Sequence, residues 1–485
     1  MSEIKELLTS GLVAYPQSFN QVKDLEVFMV KEKDNDILIV LGANRAQFQG
    51  VEHQGSVPFI KAELIHDNAE ALRKWFPFTK PVPVLKNKRS FGVGDRLGIA
   101  CPGHIRVFKE YDAYPVFAQQ SIRELNLTNR TYADVLDAVT FAVFRDGYKG
   151  GFGADGDHLK KREEIKYALG LGYTMITLDC SEHINNDITN MTKKAIDKAV
   201  KLPDSIKDRY LNKEFEIEGV WIKYDMDSLK KTYLIYADAI KFATEIYHEF
   251  FVDGKANADF EISIDETMTP TEPAQHFFVA NELTNNSVKI DTMAPRFCGE
   301  FQKGVDYIGD IDQFEREIDI HAKIARHFGY KLSIHSGSDK FSVFPLIGKY
   351  TKGNFHVKTA GTNWLEAMRA VSKCDPVLYR EIHKYALSMF TEAKKYYHVT
   401  TDLAKIPDVD TLNDDQLPEL FKQNDARQLI HITYGFILSA KNDDGSYLFK
   451  DRLYDLWRQE EAVYSEMLYR HIGKHLALLY SGFNK

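Results

Sequence analysis

Ala258-Asp-Phe-Glu-Ile-Ser-Ile264 runs straight into Asp265-Glu266, and the reading of that junction decides the fold. A short β-branched and aromatic run ends on charged residues, and a helical pattern follows from Pro273. The junction recurs. Tyr330-Lys-Leu-Ser-Ile334 meets His335-Ser336-Gly337, and Phe355-His356-Val357 meets Lys358-Thr-Ala-Gly-Thr362. Gly150-Gly-Phe-Gly-Ala154 leads to Asp155-Gly156-Asp157-His158. In a βα-repeat protein such junctions bring side chains from distant sequence positions to one mouth. Carboxylates and imidazoles gathered there suit a divalent metal and acid/base chemistry on a sugar-like substrate.

Working outward, the alternation begins near residue 110. Strands are expected at Ala113–Ala118, around Gly150–Gly153, at Tyr173–Leu178, up to Ile264, at Val288–Met293, up to Ile334 and up to Val357. Between them, helical periodicity covers Tyr132–Phe144, Leu159–Leu171, Leu229–Phe251, Pro273–Leu283, Asp312–Phe328, 342–350 and Asn363–Val371. Seven strands can be counted this way, and an eighth is not placed. The fold class expected is α/β, a (β/α)8 TIM-like barrel with an N-terminal mixed lead-in and a C-terminal helical extension. An open doubly wound sheet is the rival, disfavoured because no GxGxxG follows the first strand. The expected segments are 1–90 for the lead-in, 91–375 for the barrel with an insertion near 183–228, and 376–485 for the helical extension.

The bulk numbers exclude several function classes. A net charge of −8, with no long run of either sign, gives no footing for nucleic acid or an anionic membrane. Four scattered cysteines without a CxxC pair indicate neither a disulfide framework nor a cysteine zinc site. The charged start Met1-Ser-Glu-Ile-Lys-Glu6 lacks an apolar leader core, so the expected location is the cytoplasm. The sequence permits a homo-oligomer.

Asp157-His158 is the sharpest pair, since an imidazole can hold a metal while its neighbour takes a proton. The bland alternative makes Asp157 the N-cap of a helix starting at His158. Glu266 is a second carboxylate at a strand end, or a solvated turn residue. His335 precedes a Ser-Gly-Ser loop and awaits a second ligand. The long stretch Pro295–Gly304 offers Glu300 and Gln302 as oxygen donors and Arg296 and Lys303 as cations for an anionic group. Lys358, Thr359 and Thr362 are placed like an anion cradle, though not a Walker A loop, with a plain helix cap as the alternative. Gln119, Gln120 and Ser121 are neutral partners for hydroxyls. Asp95 and Arg96 lie in Ser90–Leu97, which has the loose look of a glycine-rich anion loop.

In order along the chain, several motifs resemble the tagaturonate/fructuronate epimerases of hexuronate catabolism, a family that includes tagatose 4-epimerases. They are Phe91-Gly-Val-Gly-Asp-Arg-Leu-Gly98 with Pro102-Gly-His-Ile-Arg106, Gly153-Ala-Asp-Gly-Asp-His-Leu-Lys160, and Ile264-Asp-Glu266. Further on come Ala294-Pro-Arg-Phe297, Phe301-Gln-Lys-Gly-Val-Asp-Tyr307, His335-Ser-Gly-Ser-Asp-Lys-Phe341 and His356-Val-Lys-Thr-Ala-Gly-Thr362. The resemblance implies a metal-dependent barrel with Asp157 as proton acceptor and Glu266 as proton donor. It also implies His158, Gln302 and His335 as ligands of a Zn, Ni, Mn or Co type ion. Gly156 stands where the resemblance would put a slightly larger residue.

Two such keto-acids differ at the carbon β to the ketone, and the ketone does not acidify that C–H. Enolisation would invert the wrong centre. A retro-aldol cleavage, rotation of the aldehyde and re-addition on its other face inverts the right one, with a metal stabilising the developing charge. Transient oxidation by a nicotinamide is disfavoured by the missing dinucleotide fingerprint. The competing readings are a metal-dependent sugar aldolase or ketose isomerase and, outside catalysis, a sugar-binding regulatory barrel. The ligand in each case is a small keto-sugar acid or ketose.

Overall fold

The computed structural model describes residues 12–483 except 34, 55 and 56; the charged start at Met1–Glu6 lies outside them. Six short strands open the chain: β1 (Val13–Ala14), β2 (Asn20–Val22), β3 (Leu25–Glu32), β4 (Asn35–Gly42), β5 (Val51–His53) and β6 (Phe59–Ala62). They form one antiparallel sheet in the order β1-β3-β4-β6-β5, with β2 on β3. Side chains alternate with the pleat. Leu25, Val27, Met29, Leu38 and Val40 pack with Leu72 and Phe76 on one face, while Phe28, Val30, Ile39 and Leu41 cluster on the other.

The barrel comprises β7 (Arg89–Val93), β8 (Tyr114–Ser121), β9 (Gly153–Leu159), β10 (Met175–Asp179), β13 (Asp259–Ile264), β14 (Thr292–Pro295), β15 (Lys331–Ile334) and β16 (Phe355–Thr359). It closes in that order, with β16 returning to β7. The hairpin β11 (Glu214–Ile217) and β12 (Val220–Lys223) lies in the expected insertion, beside short helices at Lys193–Ala199 and Asp204–Tyr210. The fold is a (β/α)8 TIM-like barrel, and helices follow it from Pro376 to Ser481, as expected.

The strand not placed from sequence is β7. Its Gly92 and Ser90 weaken the β signal, yet Ser90 is buried and its hydroxyl meets His356 Nδ1 at 2.9 Å.

By compactness the chain divides into two units: residues 1–82, 93–154 and 360–474, and residues 83–92, 155–359 and 475–485. In the first, the C-terminal helices enclose Trp364, Tyr379, Leu429 and Trp457. Trp364 Nε1 donates to the Ile430 carbonyl (2.8 Å) and Trp457 Nε1 to that of Ala367 (3.0 Å), so neither indole carries an unmet donor into the core. The second unit holds most of the barrel and the acidic cluster below. Among the described residues, no helix is long and apolar enough to cross a membrane.

Candidate active site

The barrel interior of the second unit is polar where such barrels are usually filled by branched apolar side chains. Thr177 on β10, Glu261 on β13 and Thr292 on β14 are register partners, so their side chains lie side by side. Thr177 Oγ1 lies 3.0 Å from Asp155 Oδ1 and 3.0 Å from Glu261 Oε1, and Thr292 Oγ1 donates to Glu261 Oε2 (2.6 Å). Alternation in Asp259-Phe-Glu-Ile-Ser-Ile264 puts the acids inward and the apolar residues toward the surrounding helices.

Lys358 Nζ sits among these groups, 2.7 Å from Asp155 Oδ2, 2.5 Å from Asp157 Oδ1, 3.2 Å from Glu261 Oε1 and 2.6 Å from Thr177 Oγ1. Burial alone would drive the ammonium toward neutrality, but the three carboxylates hold its pKa well above the usual lysine value. Burial pushes Asp155 up to about 6, against the pull of Lys358. For Asp157, burial works upward too, but Lys358 and His158 outweigh it and hold the carboxyl below its ordinary value. An ammonium with three carboxylates around it is a poor holder of a further anion. The substrate contact expected of Lys358 would have to compete with these internal ion pairs. Thr359 Oγ1 donates to the Gly92 carbonyl (2.8 Å), and within the first unit Thr362 Oγ1 meets His471 Nε2 at 2.5 Å. Both hydroxyls of the stretch expected as an anion cradle therefore have partners within the fold.

Asp157 and His158 are not at a helix start. The helix begins at Arg162, and Glu164 accepts from the Lys160 and Lys161 amides (3.1 and 3.2 Å). Instead the pair occupies a β-bulge. Gly156 pairs with Ile176 and Leu159 with Leu178, so two residues of β9 face the single Thr177. His158 takes a left-handed φ of 55°, an uncommon conformation for a non-glycine residue. Together they turn two consecutive side chains to the same side, which a regular strand forbids. Gly156 points outward, where a Cβ would come 2.9 Å from Leu159 Cδ1 and 3.1 Å from Ile176 Cδ1. Close packing on the apolar side accounts for the missing side chain.

His158 Nδ1 lies 3.3 Å from Asp179 Oδ2, and its ring centroid is 4.8 Å from that of His335. Burial alone would lower the His158 pKa, but Asp157 and Asp179 raise it. Asp179, despite its burial, is held down at about 2 by His158 and Ser181. His335 Nε2 meets Glu261 Oε1 at 2.8 Å; its buried Nδ1 faces Asp265 Oδ1 at 3.2 Å without making a hydrogen bond. Burial opposes the charge on His335, yet Asp265 and Glu261 lift its pKa to about 10.

One donor atom each from His158, Asp179 and Glu266 lie within 4.8 Å of one another. Around them stand Asp155, Asp157, Glu261 and Asp265, with Lys358 and Lys160 as the nearby lysines. Buried negative charge in this excess, beside two imidazoles, fits a divalent first-row ion, whose ligands are mixed imidazole and carboxylate. Asp179 and Glu261 were not among the residues singled out from sequence. Asp179 closes the apolar run Met175–Leu178, and that strand-end position was the available signal.

The other expected residues are less tightly gathered. Gln302 is buried, donates its side-chain amide to Glu300 and accepts at its backbone carbonyl from Lys340 Nζ (2.9 Å). Lys303 Nζ donates to Ser336 Oγ (3.2 Å). Half-buried Arg296 is anchored by its backbone to Thr271, and among the described residues its guanidinium has no partner.

In the first unit, Arg96 is committed to Glu124 (2.9 Å from Nε, 2.8 Å from Nη2) and stacks 3.8 Å from the Tyr434 ring centroid. Asp95 accepts from the Leu97 and Ala100 amides (2.9 and 2.7 Å). Both thus have internal partners in the fold. Ser121 caps the helix Ile122–Thr128. Gln119 and Gln120 are buried, and the Gln120 amide makes no hydrogen bond among the described residues, a capacity that a ligand hydroxyl would fill.

Comparison with known proteins agrees with this architecture. A family model described as tagaturonate epimerase matches residues 15–479. The tagaturonate/fructuronate epimerase of Thermotoga maritima is 43% identical over 482 residues, covering 98% of both chains. The native crystal structure of the fructuronate-tagaturonate epimerase of Cohnella laeviribosi superposes with a TM-score of 0.95 at 49% identity, covering 99% of this chain and 98% of that one. A glycerol complex of the same enzyme matches equally well, with a TM-score of 0.95. The chain belongs to the tagaturonate epimerase family, a family of carbohydrate isomerases.

Proposed function

We propose that the chain is a metal-dependent epimerase interconverting tagaturonate and fructuronate, and that it also turns over the neutral pair tagatose and fructose. The single observation that carries the reading is the shared space of Asp157, His158, His335 and Glu266 beside a surplus of buried carboxylate. His158 and His335 would hold the ion, completed by oxygen donors from Asp179 or Gln302. When bound, a divalent cation supplies positive charge against substrate oxygens that become negative as the carbon–carbon bond breaks.

Asp157 is the base. Its ionised carboxylate removes the proton from the hydroxyl on the reacting carbon, and the bond between that carbon and its ketone-side neighbour cleaves to an aldehyde and an enediolate fragment. After the aldehyde turns, the same bond re-forms on its other face. Glu266, exposed at the strand end, returns a proton to the new alkoxide. Arg296 and Lys303 orient the substrate carboxylate. Glu261 fixes the His335 ring by accepting from Nε2, which turns Nδ1 toward the cluster.

Incubation of the Mn²⁺-loaded protein with tagaturonate should give fructuronate by NMR, and EDTA should abolish the conversion. Net accumulation of three-carbon fragments would instead mark an aldolase, and binding without turnover a sugar-binding barrel. The proposed location is the cytoplasm.

A further inference from the structure

We propose that Lys358 is a positioning residue that aims the Asp157 carboxylate at the substrate hydroxyl, by tying it to the fixed carboxylates Asp155 and Glu261. The proposal rests on the reading of Asp157 as the base. Asp157 sits on the bulge, where the strand ladder is interrupted and regular pairing does not set the side-chain direction. Asp155 and Glu261 are the opposite case, braced by Thr177 and Thr292 at 2.6–3.1 Å. Lys358 bridges the two kinds of group with one ammonium, whose side chain is 4% exposed.

The strand that delivers this ammonium is itself held. The Gly337 amide donates to the Lys358 carbonyl (2.9 Å), and a Cβ at Gly337 would come within 2.6 Å of Val357 Cγ1. Lys358 thus has a fixed base and fixed partners, and Asp157 is the one carboxylate it contacts that lies next to His158. Without the ammonium, Asp157 would be repelled by Asp155 and would rotate away. A carboxylate displaced by about 1 Å can lose on the order of a hundredfold in rate with binding intact.

The test uses full-length, Mn²⁺-loaded Lys358→Ala, made also on an Asp155→Asn background so that one buried negative charge leaves with the ammonium. Circular dichroism and Tm report folding. Steady-state kinetics on tagaturonate separate kcat from KM, and calorimetry measures the Kd of D-galactonate, a sugar acid without a ketone. Ethylamine and propylamine are then added to fill the space left by the lysine. The expected result is a kcat lower by roughly a hundredfold, KM and the galactonate Kd within about threefold of the parent, and partial recovery of kcat with the alkylammonium but not with propanol. A raised KM and galactonate Kd with kcat retained would overturn the proposal and return Lys358 to the substrate carboxylate. A folded variant without amine rescue would also overturn it. Asp157→Asn separates the two levels: if it keeps the parent kcat, the base reading itself fails. If Asp157→Asn is inactive while Lys358→Ala is unimpaired, only the positioning role fails.

Discussion

Replacing Glu261 by Gln removes one charge from the centre of the buried cluster and leaves the shape nearly unchanged. In the parent, Glu261 Oε1 lies 2.8 Å from His335 Nε2, and both side chains are at most 4% exposed. The carboxylate fixes the tautomer and raises the ring's basicity, and losing such a partner typically costs about 10–100-fold in metal affinity. That range corresponds to about 1.4–2.7 kcal/mol. A second effect runs the same way: the glutamine amide can present N–H to Nε2, which moves the ring proton to Nδ1, the atom facing the cluster. The assay is competition between metal-stripped protein and a chromophoric chelator for Zn²⁺ or Mn²⁺, followed by kcat at rising metal concentration. The variant should bind metal about 10–100-fold more weakly and regain much of its kcat at saturating metal. An affinity within twofold of the parent would refute the carboxylate–imidazole reasoning. So would a loss of kcat that saturating metal leaves untouched.

Arg296→Ala or Lys303→Ala should raise KM for tagaturonate more than for tagatose, measured side by side; equal effects on both would remove that cation from the carboxylate site. Glu124→Ala strands the buried Arg96 and should destabilise the fold by about 3–5 kcal/mol, read as a drop in urea midpoint. Lys331, whose ammonium donates to the Asn87 carbonyl and Ser90 Oγ (both 2.8 Å), is pushed by burial down to about 7 from 10.5. Between those values the unfolded chain binds a proton that the folded one lacks, so this group makes stability rise with pH across that window and costs most below pH 7. Lys331→Met should therefore flatten the gain between pH 7 and 9.5 by on the order of a few kcal/mol in urea unfolding, and an unchanged slope would contradict the burial effect.

Six of the eight barrel strands were legible because they are short apolar runs that end on polar residues and are followed by 3.6-residue periodicity, while the run expected around Gly150–Gly153 meets β9 (Gly153–Leu159) only at Gly153. The eighth was not, because Arg89-Ser-Phe-Gly-Val93 carries its inward-facing serine and a glycine where a strand signal wants branched residues. The candidate site was legible at the strand ends, in His158, Glu266 and His335. It was obscured one layer deeper, at Glu261, Thr177 and Asp155. Polar residues alternating with apolar ones along a strand read as a solvent face, and only closure of the sheet turns that face inward. Arg96 and Lys358 show the converse: a cation next to glycines looks like an anion site until its carboxylate partners, 28 positions away for Arg96 and 97 to 203 for Lys358, are placed around it.

The bulge in β9 has an evolutionary corollary. On the roles proposed for Asp157 and His158, the group that would move the proton and the group that would grip the ion share one peptide bond, so neither can drift without dragging the other. Variation in substrate preference is free to accumulate elsewhere, on the loop after β14 where Arg296 and Lys303 stand apart from that pair. Directed evolution toward uncharged ketoses should find its gains there, while libraries at 157 and 158 return mostly dead clones.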